Sequence, residues 1–561
     1  MKTDNFCKMW KVLLAFVTLI SLPTSLLAQE HDYVFSGSVT YDNIGQYLYF
    51  DFDVPQGTTK LYISFSYQSR LTDKSGSDSN DGWEDWIAYN SDPSYSGDKQ
   101  FDDVLTIAVY DSNGFRGSGL KGSGTFTIAL SDEHTSDGYL PGEIPEGVWK
   151  VEVGVGFVMK NHIIDYTVTV DLSNEDVGET FVPPDYEPVV LSNETRWYKG
   201  DLHCHSTHSD GSHPMGDVFE YAHSIGLDFL ALTDHNTLSH LVHIPEYQEA
   251  YPDMLLIYGW EVTTFRGHFN VFNFTEWVDY RGTMPGYDIN AVFDQVHAKG
   301  GYVSPNHPCF PNISVPGFDS YGLGWGFPET DWSKVDFVEA INGPSRLFDS
   351  IPNPINAFAI EMWDNLQDAG LPLTIRGGSD DHSAGQGSGS TYSPIGSPTT
   401  VVYANELSSD AILEGLKAGH AFLMTEGPDG PEIYLEAKSG DKNAIVGDTI
   451  DGEVIDVSAR VIKGNGTTLT MQMDGKPMPD YTDVPVDSDD YKLEFSTLPT
   501  KLSRLRAELS DGNILKAITN SLYVAPQTSD DDTADDDVDD DTDDDDAGGA
   551  GGGNGGCGCG L

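Results

Sequence analysis

The stretch Gly200-Asp201-Leu202-His203-Cys204-His205-Ser206-Thr207-His208-Ser209-Asp210-Gly211 decides how the rest of the chain is read. On an extended strand, residues two apart face the same side. His203 and His205 can therefore present two imidazoles to one cation while Cys204 points away, and Asp210 lies beyond the strand end, free to reach back. More polar candidates sit just past apolar runs: Asp234-His235 after 229–233, Glu261 after 255–260, His307 after 302–305, and Asp380-Asp381-His382 after 373–376, while His268 opens the run 269–272. Polar ligands at the carboxyl ends of successive parallel strands converge at one mouth, where barrels place their active sites.

A lone histidine is usually a satisfied core residue. Here eleven of the sixteen histidines fall between His203 and His307 and combine with carboxylates at repeated strand ends, which chance does not readily produce. Mixed imidazole and carboxylate ligands suit Zn, Mn, Fe or Ni rather than Ca. More than four ligands imply more than one ion.

Outward from this stretch the rhythm is strand and helix: 227–232 follows the helical stretch 215–224, 301–304 follows 289–299, and 371–375 follows 355–369. Such alternation predicts a parallel sheet, closed or open, with helices outside. Before it, residues 31–172 carry short alternating runs at 47–54, 60–67, 104–110, 125–130, 149–157 and 166–171, separated by Gly, Pro, Asn and Asp. These predict an antiparallel β-sandwich in which nothing looks catalytic. Pro183, Pro184 and Pro188 among acidic residues mark a linker. After 426 alternating strand signals return, and the chain ends in a nearly pure Asp run and then a Gly run, neither of which can bury enough apolar surface to order itself.

At 561 residues the chain has room for about three domains. The expected layout is a signal peptide at 1–28, a β-sandwich at 29–174, a linker at 175–195, a metal-binding domain at 196–425, a small β domain at 426–525 and a disordered tail at 526–561. The signal reading rests on Lys2, Lys8 and Lys11 before the apolar run 12–20 and small residues ending near Ala28. That run is shorter than the roughly 20 residues a bilayer requires. Export to the periplasm, the cell surface or the medium is the expectation. The cysteines, Cys7, Cys204, Cys309, Cys557 and Cys559, cannot staple a body this large, so its stability comes from ordinary cores. Only 13 of the negatives behind a formal charge of −59 lie between Asp530 and Asp546, so the remainder is acidic too. A field of that sign repels polyanions, and no long nucleic acid is expected as a partner.

The strings His203-Cys204-His205-Ser206 with Ser209-Asp210-Gly211, Thr233-Asp234-His235-Asn236, Gly259-Trp260-Glu261-Val262-Thr263 with Gly267-His268, Asn306-His307-Pro308, and Gly378-Ser379-Asp380-Asp381-His382 resemble, in order and spacing, the motifs of the PHP (polymerase and histidinol phosphatase) superfamily. They are most similar to its CehA/McbA metallohydrolase branch, over about 196–427. The resemblance implies a distorted (β/α)7 barrel with two or three divalent transition metals (Zn, Mn or Fe). His203, His205, Glu261 and Asp380 would hold the first ion. Glu261 would bridge to a second, completed by His268 and His307, and Asp210, His235 and His382 would hold a third. Asp210 stands where some members of the superfamily carry histidine.

The function that follows is an exported metal-dependent hydrolase acting on a small phosphate mono- or diester, with a hydroxide shared by two ions as the nucleophile. Hydrolysis of a carbamate, carboxylic ester or amide on the same cluster is the alternative, and an inactive surface binding protein the second. Arg376 is a candidate to pair with a phosphate oxygen at the mouth, or else to form a structural salt bridge. His208 and Asp381 are candidates to protonate a leaving group. The ending Cys557-Gly558-Cys559-Gly560-Leu561 resembles bacterial surface-sorting tails, which raises envelope attachment as an alternative to a free tail.

Overall fold

In the strand Gly147–Phe157, Trp149, Val151, Val153 and Val155 recur at period two and are fully buried. A computed structural model shows what they are buried against, and describes residues 31–71, 103–119, 122–160, 162–185, 188–347, 351–389 and 392–527. The signal-peptide and Asp/Gly-tail readings lie outside the described residues. Gly147–Phe157 belongs to a four-stranded antiparallel sheet with Tyr47–Val54, Val104–Tyr110 and Phe115–Gly119. A second sheet orders Tyr33–Thr40, His162–Ser173, Lys60–Leu71 and Gly124–Ala129. Both sheets feed one core that contains Trp149, Ile63 and Val168. Phe115–Gly119 escaped the sequence reading because Arg116, Gly117 and Gly119 break the apolar alternation.

The central region begins with three parallel strands, Arg196–Asp201, Phe229–Ala231 and Leu255–Ile257, with Phe229 opposite both Gly200 and Leu255. Between the first two, helix Met215–Ser224 turns Met215, Val218, Phe219 and Ala222 inward, the spacing of a single apolar stripe. A separate parallel pair, Phe337–Asn342 and Thr374–Gly378, is connected through helix Pro354–Asp368. Asn353 caps that helix by accepting from Ile355 N, and Pro354 occupies the first turn, where a missing N–H costs nothing.

Between these parallel groups the strand–helix rhythm is interrupted. Gly259–Thr264, Gly267–Phe272 and Tyr302–Pro305 form an antiparallel sheet. Gly259 makes the close strand crossing possible, since a Cβ there would lie 2.9 Å from Val271 O, and Gly267 takes φ +116 at the hairpin turn. Glu261 and His268 therefore sit within a hairpin and not at the ends of two parallel strands.

Arg196–Asp201 also pairs antiparallel with Thr399–Ala404, which pairs with Ala421–Met424, which pairs in turn with Ile514–Thr519. The sheet thus runs on into the C-terminal strands, and Val401 and Phe422 share a core with Val457 and Leu509. The molecule is multi-domain and rich in strands, with few helices. No helix among the described residues is long and apolar enough to cross a membrane.

Candidate metal centre

Backbone hydrogen bonds beyond the regular strands zip the motif segments together. His205 N donates to Asp381 O (2.8 Å), Asp380 N to His203 O (2.8 Å), Asn236 N to Glu261 O (2.9 Å), Asn306 N to His268 O (3.0 Å) and Ser212 N to His382 O (2.8 Å). Three residues at these crossings have positive φ: Asn236 at 46°, His307 at 30° and Asp380 at 56°. Non-glycine residues occupy that region at a cost, and such strain collects at functional sites.

The side chains so presented converge. His203 Nε2 and His205 Nε2 lie 3.2 and 3.5 Å from Glu261 Oε2, and 3.4 and 3.0 Å from Asp380 Oδ1. The other Glu261 oxygen, Oε1, is 3.2 Å from His268 Nδ1 and 3.6 Å from His307 Nε2. Asp210 Oδ1 is 3.3 Å from His382 Nε2 and 3.6 Å from His235 Nε2. The ligand atoms of His205, Asp210, His235 and His382 form one group within 4.8 Å of one another, those of His203, His205 and Glu261 a second, and those of His235, Glu261 and His268 a third. His235 spans two groups, because its Nδ1 also lies 2.9 Å from Glu261 Oε2.

Charge explains why such a cluster suits divalent ions. Burial alone would push Glu261 and Asp380 up, but the neighbouring imidazoles outweigh it and hold both carboxyls well below the ordinary range. Burial likewise opposes charge on His203 and His382, but the carboxylates beside them prevail and raise both, His382 to about 10. His205 and His268, buried beside other imidazoles, drop to about 4. Balancing these carboxylates takes protons on some histidines. Divalent cations balance the same charge while leaving every imidazole neutral and able to coordinate. His307 Nδ1 and His205 Nδ1 are buried without a hydrogen-bond partner, and the donor set is the mixed nitrogen and oxygen set of transition metals. The residues fit the group.

A supporting layer fixes the ligands. His203 Nδ1 donates to Glu339 Oε1 at 2.9 Å, and Glu339 also accepts from Arg376 Nη1 (2.8 Å), Asn342 Nδ2 (3.0 Å) and His307 N (2.8 Å). Such a carboxylate–histidine pair orients the ring and raises its basicity. Asn306 Nδ2 donates to Glu261 Oε1 (2.7 Å), and Arg376 Nη2 donates to Asn306 Oδ1. Asp234 accepts from Ser206 N, Ser206 Oγ and Ser209 Oγ, which shapes the loop between His205 and Asp210. Buried Asp201, pushed up to about 6 by burial, accepts from His203 N and Ser379 N, behind His203 and Asp380.

The three other candidates sit elsewhere than at an open mouth. Arg376 is fully buried, bonded to Ser304 Oγ, Glu339 and Asn306, with its guanidinium over the Phe272 ring. It occupies the structural salt bridge, not the phosphate-binding position, because Glu339 claims its charge. Asp381 spends its carboxylate on Ser383 N, Gly385 N, Ile395 N and Tyr392 OH, and so builds its loop instead of facing a leaving group. His208 turns away from the ligands: its Nδ1 pairs with Ser239 Oγ at 2.7 Å and its Nε2 faces Asp137 at 3.9 Å. Glu339, Asn306 and Asp201 were given no role in the sequence reading: Glu339 is a single acid inside the apolar run 337–341, and Asn306 and Asp201 stand beside His307 and Leu202-His203 with no pattern of their own. A buried acid in Phe337–Asn342 was the available signal.

Fold and centre together define a protein with a cluster of histidines and carboxylates fitted to hold divalent metal on a strand-rich, multi-domain scaffold. The PHP domain family model matches residues 201–300. Among solved structures, a two-domain protein from Bacteroides vulgatus containing a predicted PHP-like metal-dependent phosphoesterase is 18% identical, covering 61% of this chain and 100% of its own, at a TM-score of 0.33. A candidate metal-dependent phosphoesterase from Bifidobacterium adolescentis is 16% identical, covering 35% of this chain and 91% of its own, at 0.25. An amidohydrolase from Chromobacterium violaceum with bound sulfate and no metal is 16% identical over 33% of this chain and 88% of its own, at 0.23. No curated protein matches the chain.

Proposed function

We propose that this protein is an exported metal-dependent phosphoesterase of the CehA/McbA-like branch, hydrolysing a small phosphate mono- or diester at a centre of two or three Zn, Mn or Fe ions in a (β/α)7-type barrel. The observation that carries the reading is the two-sided use of Glu261. One of its oxygens faces His203 and His205, and the other faces His268 and His307. Divalent ions bound on the two sides would polarise an ester oxygen and ease deprotonation of water near neutral pH. The chain's own part is to keep the ions close and the ligands neutral and aimed. Asn306 locks the Glu261 carboxylate, Glu339 locks His203, and Arg376 neutralises Glu339 so that its charge does not compete for the ions. The strand–helix–strand units of the central region support the barrel, and the sequence of residues 1–28 supports export.

Hydrolysis of a carbamate, carboxylic ester or amide is the second reading. The burial of Arg376 favours it, since that removes the guanidinium expected to greet a phosphate. The full ligand set speaks against an inactive binding protein. Elemental analysis of gently purified protein, followed by chromogenic phosphoester and carboxylester panels with metal add-back, tests all three. Two or three ions per chain with phosphoester turnover is the expected result. Carboxylester turnover alone selects the second reading, and a metal-free protein that stays so after add-back removes both.

A further inference from the structure

The N-terminal sheets reach the metal centre through a crossing of two tight segments, 117–118 and 137–139. Gly138 N donates to Ser239 Oγ (3.1 Å) and Gly138 O accepts from Thr237 Oγ1 (2.8 Å). Ser118 Oγ donates to Asn236 O (2.9 Å), the residue next to His235. On the other side of the same loop, Asn236 exchanges two hydrogen bonds with the Thr263 backbone, both at 2.8 Å. The His235 loop is therefore gripped between the Glu261 strand and the N-terminal unit. Thr207 Oγ1 donates to Asp137 Oδ2 at 2.5 Å, in the turn that leads to Asp210. Gly138 has φ +96, and a Cβ there would come within 2.8 Å of Ser118 O and 3.0 Å of His208 O, so the fit leaves no room for a side chain. Ser118, Thr237 and Ser239 are buried in the junction.

These contacts fall on one side of the centre. They hold the loops of Asp210 and His235, whereas the bonds from Glu339, Asn306 and Arg376 hold His203, Glu261 and His307. We propose that the N-terminal two-sheet unit is a positioning part of the metal centre: Ser118, Asp137 and Gly138 set the Asp210 and His235 loops, so that the position lined by Asp210, His235 and His382 depends on this unit more than the positions lined by His203 and His268, which His235 reaches only through Nδ1. The inference rests on the reading of the cluster as a divalent-metal centre.

The test is a Co²⁺ titration of the full chain, followed by visible absorption and calorimetry, with thermal unfolding as the check on folding. Ser118→Ala/Asp137→Ala should weaken the last ion to bind by about ten-fold or more, the scale on which outer-layer partners act on metal affinity, and weaken the tighter ions clearly less. Asp137→Ala alone, at a side chain that is 49% exposed, gives the same effect in reduced measure if the double variant folds poorly. Asp137→Asn keeps an acceptor for Thr207 and should bind as the wild type does. Wild-type isotherms for the double and single alanine variants, or equal weakening of every ion, overturn the proposal. A wild-type protein that takes up no Co²⁺ overturns the metal reading itself, and this inference with it.

Discussion

Glu261 and Asp210 are both acidic residues among imidazoles, yet the Glu261 side chain is fully buried while that of Asp210 is 38% exposed. The contrast extends to their neighbours. His203 is fully buried, with a carboxylate on each ring nitrogen, whereas the His382 side chain is 36% exposed at the rim and its Nδ1 pairs with a backbone carbonyl. One half of the cluster is dry and held by a network ending on Arg376, and the other meets solvent. Electrostatic interactions weaken as water screens them. On the proposed metal reading, the inner positions are therefore built to keep their ions and the outer one to exchange.

The largest expected effect tests the hinge between the halves. Glu261→Gln keeps the shape but removes the charge facing both sides, and turnover should fall by at least two orders of magnitude, in line with what metal activation of water contributes. Steady-state kinetics beside elemental analysis checks this; near-normal turnover with full metal content would falsify the two-sided role of Glu261. A smaller effect is expected from Glu339→Gln, which leaves His203 coordinating but loosens its ring. Affinity for the inner ions should drop about 10–100-fold, with turnover recovering at saturating metal. Turnover that stays low at saturation would place Glu339 in the chemistry rather than behind it. His382→Ala, on the exposed side, should retain measurable activity that added metal partly restores. Complete and irreversible loss there would erase the distinction between the halves.

How far the sequence announced this arrangement depends on the local signal each residue carried. The two imidazoles of His203-x-His205 do converge, although they stand just past the end of the strand Arg196–Asp201, and every other ligand except Asp210 stood beside an apolar run long enough to recognise. The hairpin that carries Glu261 and His268 was hidden, because the run 255–260 is continuous in hydrophobicity and its break depends on how closely Gly259 and Val271 approach. Arg376 could not be placed from spacing, since its position is decided by Glu339, Ser304 and Asn306 on other strands. Nor did the 131–142 segment show anything catalytic. Its proposed bearing on the centre comes from the Gly138 backbone and the single carboxylate of Asp137, which form no pattern in the sequence.

The smallest effect separates loss of metal from loss of fold, which any comparison of the two halves across pH requires. Imidazoles must be neutral to coordinate, so protons compete with metal as pH falls, first at His203 and His382, which their carboxylate neighbours raise against burial, and at His205 and His268 only near pH 4; metal and activity should be lost across that descent. The scaffold fails lower. Asp336, away from the ligands, accepts from Val303 N (2.8 Å) and His297 Nε2 (2.9 Å) and pairs with Lys417 Nζ (2.9 Å). Burial pushes its carboxyl up, but these partners outweigh burial and bring it below the ordinary value. With the folded pKa below the unfolded one of about 3.9, the unfolded chain binds more protons in this range. The stabilisation is thus present above about pH 4 and is lost as pH falls through the folded pKa. Glu261, Asp380 and Asp210 are held low in the same way and contribute to the same acid limb, so only a difference isolates Asp336. Melting temperatures of wild type and Asp336→Asn, both metal-free, should converge below pH 4 and part above it, with the variant curve flatter, while the acid midpoint of activity stays where the histidines set it. Parallel melting curves would show that Asp336 carries no acid sensitivity. A shifted activity midpoint would tie the Asp336 pairs to the metal centre after all.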